Sequence, residues 1–337
     1  MRVGVLGVGR IGALHAASLA ADPRVGAVAV LDPDARRAGE VVRPLGARVL
    51  LDRDDLAAWR PDAVVLATPT DTHAALILEW ARAGLPVFCE KPCFTDLDTA
   101  RAVVAEVGDA GSVVHVGFQR RFDPGYRRAY NAVRTGELGE LRRAHLVTAD
   151  PAPPPAEYVA RSGGIHRDCQ IHDYDVLRWV TGREVVEVYA TGANRGDPHF
   201  AAVGDVDEAA VLLTLDDGTL VTAQASRYNG AGYDVRMEVA GTEGTLAVGW
   251  DERVPVRSAE PSAPPPGDAW SGFLPRFATA YQAEMTAFVT LVAEGGTSPC
   301  EVSDALRALE IAEAVTRSRR DRRPVSLPAL TAPAVGA

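Results

Sequence analysis

The stretch Val3 to Gly12, VGVLGVGRIG, constrains this chain more than any other. A short apolar run leads into three glycines, Gly7, Gly9 and Gly12, and a helical pattern follows at once. Gly7 permits a tight turn, Gly9 lets backbone amides approach a pyrophosphate, and Gly12 lets the helix pack close to the strand. The start of that helix offers N–H groups and a positive dipole end to phosphates. Gly7, Gly9, Arg10, Ile11 and Gly12 are therefore the first expected cofactor-binding residues. A GxGxxG alone is weak, so the chain must also supply a second strand, an acidic ribose partner and a reacting site.

The next segments supply the first two. Ile11 to Ala21 has apolar residues at helical spacing and stops before Asp22-Pro23. Val25 to Leu31 is a near-continuous apolar run, as expected of a parallel strand buried on both faces. Asp32 closes it, 20 residues after Gly12, where a carboxylate can accept hydrogen bonds from an adenosine ribose. An anion there repels a 2′-phosphate, which favours NAD over NADP, although Arg36 and Arg37 nearby weaken that preference. The competing reading of Asp32 is a turn or helix N-cap before Pro33.

Ala63 to Ala67 reads as another buried strand, followed by TPTDTH at 68–73 and a helix through Ala83. Polar loops at the carboxyl ends of parallel strands bind ligands, which adds Thr68, Thr70 and His73 to the cofactor set. Pro86 to Cys89 is a further strand, ending in Glu90-Lys91-Pro92. Glu90 and Lys91 would sit at the nicotinamide end of a bound cofactor, and the bond before Pro92 is a candidate for the cis form. The plainer reading of Lys91 is a surface lysine paired with Glu90. A helix from Leu97 to Val107 and a strand from Val113 to Gly117 complete the βαβ series.

With 337 residues there is room for two domains with separate cores. The net charge of −10 argues against a general nucleic-acid or membrane-surface role. Charges, glycines and prolines interrupt every apolar run before it could span a bilayer. A first strand near Val3 leaves no room for a signal peptide. Cys89, Cys93, Cys169 and Cys300 show no CxxC pair or zinc-like spacing, so no metal is expected and reduced thiols in a cytoplasmic protein are.

In the second half, Gly125 to Thr135 reads as a helix stopped by Gly136, and Leu141 to Thr148 as a strand. The proline-rich Pro151 to Pro155 cannot join a central strand and reads as an ordered loop over the site. Asp168, His172 and Asp175 are spaced i, i+4, i+7 and would share one face of a helix. A histidine is the natural general base for a hydroxyl proton, and Lys91 could stabilise a developing alkoxide. The plainer reading of His172 is a buried histidine satisfied by Asp168 or Asp175. Strand patterns recur at 185–193, 209–215, 220–226, 235–240 and 245–248, with Asp216-Asp-Gly218 as a hairpin turn. They imply a largely antiparallel sheet, one face of which could be a subunit interface. The stretch 260–268 reads as a polar, mobile loop, then two helices over 277–293 and 302–318, a solvated basic turn at 317–323 and a loose Ala/Pro tail.

Taken together, GVGRIG at 7–12, TPTDTH at 68–73, CEKP at 89–92 and GFQRRFDPGY at 117–126 resemble the Gfo/Idh/MocA oxidoreductase family. The segment 150–182, with its GG-x(3)-D-x(3)-HD-x-D pattern, resembles the inositol 2-dehydrogenase branch. The resemblance covers nearly the whole chain. It implies an N-terminal Rossmann doubly wound parallel sheet (1–122) and a C-terminal α+β domain (123–337) with a large, mostly antiparallel, open-faced sheet. It also implies a nicotinamide cofactor, which Asp32 makes NAD before NADP, a homotetramer built through that open face, and oxidation of a polyol or sugar carbinol, read here as a ring hydroxyl of a cyclic polyol, myo-inositol first. By position it implies Lys91, Asp168 and His172 as the catalytic set, with Arg121 and Tyr233 beside the substrate. Arg121 could instead make an interdomain salt bridge, and Tyr233 could be a core or interface residue. Asp150-Pro151 departs from other branches and leaves the polyol open, so scyllo-inositol or an aldose remains an alternative. From another class, a non-catalytic NAD-binding sensor would have no need of a poised base.

Overall fold

The computed structural model describes residues 1–263, 265 and 267–328. Of the proline-rich stretch 260–268, Pro264 and Pro266 lie outside the described residues, as does the expected tail from 329 onward. Two compact units emerge, one of residues 1–122 with 279–307, the other of 123–278 with 308 onward. A single cut after residue 122 therefore misses that 279–307 belongs to the first unit.

The first unit alternates strand and helix. Its elements are β1 (Arg2–Leu6), α1 (Arg10–Ala21), β2 (Ala27–Leu31), α2 (Ala35–Leu45), β3 (Arg48–Val49), α3 (Arg53–Trp59), β4 (Ala63–Leu66), α4 (Thr70–Arg82), β5 (Val87–Glu90), α5 (Leu97–Asp109) and β6 (Val114–Gly117). The strands form one parallel sheet in the order β3-β2-β1-β4-β5-β6. Strand order reverses at β1, which lies between β2 and β4, and that switch point is where such sheets bind ligands. Val3, Val5, Val30, Val65 and Phe88 are fully buried, as apolar strands between two helical layers must be. In the α2–β3–α3 stretch, α2 buries Ala38 and packs Val41, Val42 and Leu45 against the first core, while β3 is only two residues long.

The second unit begins with α6 (Pro124–Arg134), capped by Asp123, whose carboxylate accepts from the Gly125 and Tyr126 N–H groups. There follow β7 (Leu141–Ala149), α7 (Ala156–Ser162), α8 (Ile165–Asp168), α9 (Ile171–Thr181), β8 (Val185–Ala193), α10 (His199–Ala202), β9 (Glu208–Leu215), β10 (Leu220–Ser226), β11 (Asp234–Gly241), β12 (Thr245–Val248) and α11 (Phe273–Arg276). Helix α12 (Ala278–Glu294) lies almost wholly in the first unit, where Met285, Phe288 and Val289 join the core of Val3, Val30 and Phe88. That burial is why 279–307 packs there. The chain closes with α13 (Val302–Asp321) and β13 (Val325–Ser326).

The second sheet runs β12-β11-β7-β10-β9-β8-β13, antiparallel except for the parallel β7–β10 pair. Burial alternates along β9 and β10, so one face is covered and Leu212 and Leu220 point outward. Gly218, at φ +86°, makes the expected β9–β10 turn possible. No described helix is long and apolar enough to cross a membrane.

Candidate active site

In the first unit the glycines have distinct, measurable jobs. Gly7 has φ +83°, and a Cβ there would lie 2.6 Å from the Ala67 carbonyl oxygen. A Cβ on Gly12 would lie 1.9 Å from the Gly7 carbonyl oxygen, so helix and turn close on each other there. Gly9 differs, because nothing lies within 4 Å of where its Cβ would be. It is the N-cap of α1, with no side-chain cap and no acidic residue in the first turn. As the N-cap, Gly9 has no side chain with which to bond the N–H groups of the first turn, and the open space beside it suits a pyrophosphate.

Asp32 follows β2 and is buried. One carboxylate oxygen accepts from the Val8 N–H at 2.8 Å; the other accepts from the Asp34 N–H at 2.9 Å and from Arg37 Nη2 at 3.2 Å. Asp32 makes the turn that the plainer reading allowed, accepting the N–H two residues on, but not the helix cap, since Asp34 caps α2. It also ties the glycine turn to the end of β2, which is where a ribose partner belongs.

Around β4 and β5 the expected residues divide. Thr68 and Thr72 share a hydroxyl contact of 2.6 Å, and Thr70 is the first residue of α4 rather than part of a loop. His73 is buried, with its ring nitrogens 2.9 Å from the Pro92 carbonyl and 2.8 Å from that of Thr68. Burial lowers its pKa against the pull of those carbonyls, and a neutral ring donates to only one of them. His73 thereby links the chain just after β4 to the chain just after β5. The Lys91–Pro92 bond is cis. Glu90 turns one oxygen to His15 Nε2, 2.6 Å away, and the other to the Lys91 N–H at 3.2 Å.

Arg121 lies in a 3-10 turn, Gln119–Phe122, just after β6. Its Nη1 donates to the Pro299 carbonyl and to Asp304 Oδ2, each at 3.0 Å. That ion pair is internal to the first unit.

In the second unit, Asp168, His172 and Asp175 do not share one helix. Asp168 ends α8, Gln170 precedes α9, and His172 and Asp175 lie in α9. The Ile165 carbonyl accepts from the Cys169 N–H four residues on and from the Gln170 N–H five residues on, a π-type turn that widens the backbone between the two helices. Asp168 is held on both sides: Tyr158 donates its hydroxyl to Oδ1 at 2.6 Å, and Arg227 donates Nη2 to Oδ2 at 2.7 Å. Arg227 also donates Nη1 to Asp150 Oδ2 at 3.0 Å. Burial works against the guanidinium charge, but facing groups that include Asp168 and Asp150 outweigh it and raise its pKa. Asp150, at the root of the proline loop, is further pinned through its N–H to the Ser226 carbonyl.

His172 and Asp175 are both buried in α9. Tyr233 is buried one residue before β11, with its N–H on the Trp270 carbonyl. His166 sits 2.7 Å from Gln170 Oε1, and burial drives its pKa down to about 4; it is an interior residue. Sequence reading missed Tyr158 and Arg227, because neither lies in a motif and their partner Asp168 is 10 and 59 positions away. All four cysteines are buried and none is in a disulfide.

Comparison with known proteins adds the following. Residues 1–118 match the oxidoreductase family with an NAD-binding Rossmann fold, and residues 126–247 match the GFO/IDH/MocA C-terminal domain. The chain is 37% identical over 330 residues to inositol 2-dehydrogenase of Rhizobium meliloti (strain 1021), covering 97% of this chain and 99% of that one. It is similar to the crystal structure of a myo-inositol dehydrogenase from Corynebacterium glutamicum, with TM-score 0.90, 35% identity and coverage of 98% and 99%. It is also similar to scyllo-inositol dehydrogenase from Lactobacillus casei with bound NAD(H) and scyllo-inositol, with TM-score 0.87, 29% identity and coverage of 97% and 98%.

Proposed function

The chain belongs to the Gfo/Idh/MocA oxidoreductase family, and on that premise we propose that it oxidises a ring hydroxyl of a cyclic polyol with NAD, myo-inositol being the preferred substrate. The observation that carries this reading is the uncapped, glycine-lined start of α1 beside the buried Asp32 carboxylate. In a chain similar along its whole length to inositol dehydrogenases, these residues suit the adenosine and pyrophosphate of NAD. When bound, NAD supplies the hydride acceptor.

The chain's own residues handle the proton and the oxygen. His172 takes the hydroxyl proton, a task suited to an imidazole, which titrates near neutral pH. Lys91 offers a positive charge to the developing alkoxide. Asp168, held by Arg227 and Tyr158, serves as a rigid acceptor for a substrate hydroxyl. Tyr233 is assigned to substrate contact, and Arg121 to bracing the first unit through Asp304. Thr68, Thr70 and Glu90 remain assigned to the cofactor side, and His73 to the scaffold. NAD is preferred over NADP because of Asp32, although Arg37 beside it softens the preference.

We assign the protein to the cytoplasm and to inositol catabolism, supported by its buried, free thiols. A homotetramer built through the outward face of β8 to β10 would cover the exposed Tyr189, Leu212 and Leu220. One experiment tests the catalytic reading. The purified protein is assayed for NADH formation with myo-inositol, scyllo-inositol and glucose, each with NAD and with NADP. Fastest turnover with NAD and myo-inositol is expected; faster turnover on an aldose sinks the inositol assignment, and none on any polyol favours the sensor.

A further inference from the structure

The first unit contains a buried polar cluster, two of whose members, His15 and Glu284, the reaction as described does not use. His15, on α1, is fully buried among aromatic rings, 5.0 Å from Phe88 and 6.2 Å from Tyr281 by ring centroids. Its Nε2 is 2.6 Å from Glu90 Oε1, so this nitrogen carries the proton that the carboxylate accepts. Glu284, on α12, is also fully buried, and a carboxylate oxygen of Glu284, one of Glu90 and a ring nitrogen of His15 all lie within 4.8 Å of one another. Gly117 of β6 makes room for the cluster: a Cβ there would be 3.1 to 3.2 Å from the Glu90 carboxylate.

Burying two carboxylates and a histidine costs more than an apolar core of the same volume, so stability alone does not account for them. What the cluster does geometrically is fix Glu90. One Glu90 oxygen is held by His15, and the other receives the Lys91 N–H at 3.2 Å. His15 belongs to the helix that starts at Gly9, and Glu90 to the strand that ends at Lys91. We propose that His15 and Glu284 are positioning residues for Lys91, acting through Glu90 to set the direction in which that lysine leaves β5. This rests on the assignment of Lys91 to the reacting oxygen made under Proposed function.

The test uses the full-length protein with NAD and myo-inositol, and compares His15→Leu, His15→Gln, Glu284→Gln, Lys91→Met and the double variant His15→Leu/Lys91→Met. Displacing a reacting group by about 1 Å costs up to about 100-fold in rate, so His15→Leu should lower kcat by roughly that factor while NAD binding, measured by calorimetry, is unchanged. His15→Gln, whose amide nitrogen can take the place of Nε2, should restore most of the rate. In the double variant the loss should equal that of Lys91→Met alone, because His15 acts through the lysine.

A folded His15→Leu protein with normal kcat overturns the proposal. So does one that loses NAD binding, or a double variant slower than Lys91→Met. Should His15→Leu fail to fold, Glu284→Gln keeps the side-chain volume and carries the test. A kcat lowered about 10-fold with NAD binding intact supports the proposal, and an unchanged kcat overturns it. Normal turnover in Lys91→Met would instead remove the lysine's own assignment, and the proposal with it.

Discussion

Arg227 donates Nη2 to Asp168 Oδ2 at 2.7 Å, joining the strand end after β10 to the last residue of α8. The same guanidinium reaches Asp150 at 3.0 Å, so one buried cation holds both the acid ahead of α9 and the root of the proline loop. Removing one member of a buried pair strands the other charges, at a cost of about 3–5 kcal/mol. Arg227→Met should therefore lower the unfolding free energy by about that amount and collapse kcat/KM. Arg227→Lys cannot span both carboxylates and should recover stability only in part. Denaturant unfolding and steady-state kinetics on the two variants check this; wild-type values for Arg227→Met would remove the bridging role.

Gly9 and Gly12 should respond to the same substitution in opposite ways. Gly12→Ala puts a methyl 1.9 Å from the Gly7 carbonyl oxygen, and overpacking of this kind costs about 1–3 kcal/mol or more. Gly9→Ala meets no protein atom within 4 Å and should keep the fold, yet its methyl enters the space assigned to the pyrophosphate. A loss of about tenfold in NAD affinity, equivalent to about 1.4 kcal/mol, is expected for Gly9→Ala. Thermal melts separate the first effect, and NAD titration the second.

Asp32→Ala should relax cofactor choice. A hydrogen bond to a charged group is worth about 1.5–3 kcal/mol, so NAD affinity should fall about 10-fold to 100-fold while Arg37 becomes available to a 2′-phosphate. The ratio of kcat/KM for NAD to that for NADP is the measurement. An unchanged ratio would count against the ribose role.

Acid should weaken the second unit through His166. Burial lowers its pKa from the ordinary 6.5 to about 4, so the folded state refuses a proton that the unfolded chain accepts. The stability due to its neutral form is complete above pH 6.5 and is lost as pH falls toward 4, by at most about 1.4 kcal/mol per pH unit. His166→Asn does not titrate and keeps a donor for Gln170. Its melting temperature should fall less steeply than that of the parent between those pH values, and parallel curves would exclude the effect.

What could be read along the chain was whatever local chemistry dictates. The turn at Gly7 needs a positive φ that only glycine takes cheaply, the β1, β2 and β4 runs are apolar because both faces are covered, and Asp32 follows Gly12 at the spacing of one βα unit. Such constraints act between near neighbours and leave a mark in the order of residues. Helix α2 does carry an apolar period, with Ala38, Val41, Val42 and Leu45 turned to the first core, whereas β3 is two residues long and leaves none.

Only the tertiary structure decided the rest. The break between α8 and α9, the return of 279–307 into the first core, the burial of His73 between two carbonyls and the contacts of Arg121, Arg227 and His15 all join residues far apart in sequence or depend on burial. Arg227 and Asp168 meet across 59 positions, and His15 and Glu90 across 75. No periodicity encodes such pairs. A buried charge finds its partner only once folding has removed the water that would otherwise serve, and until then nothing in the order of residues marks the two as belonging together.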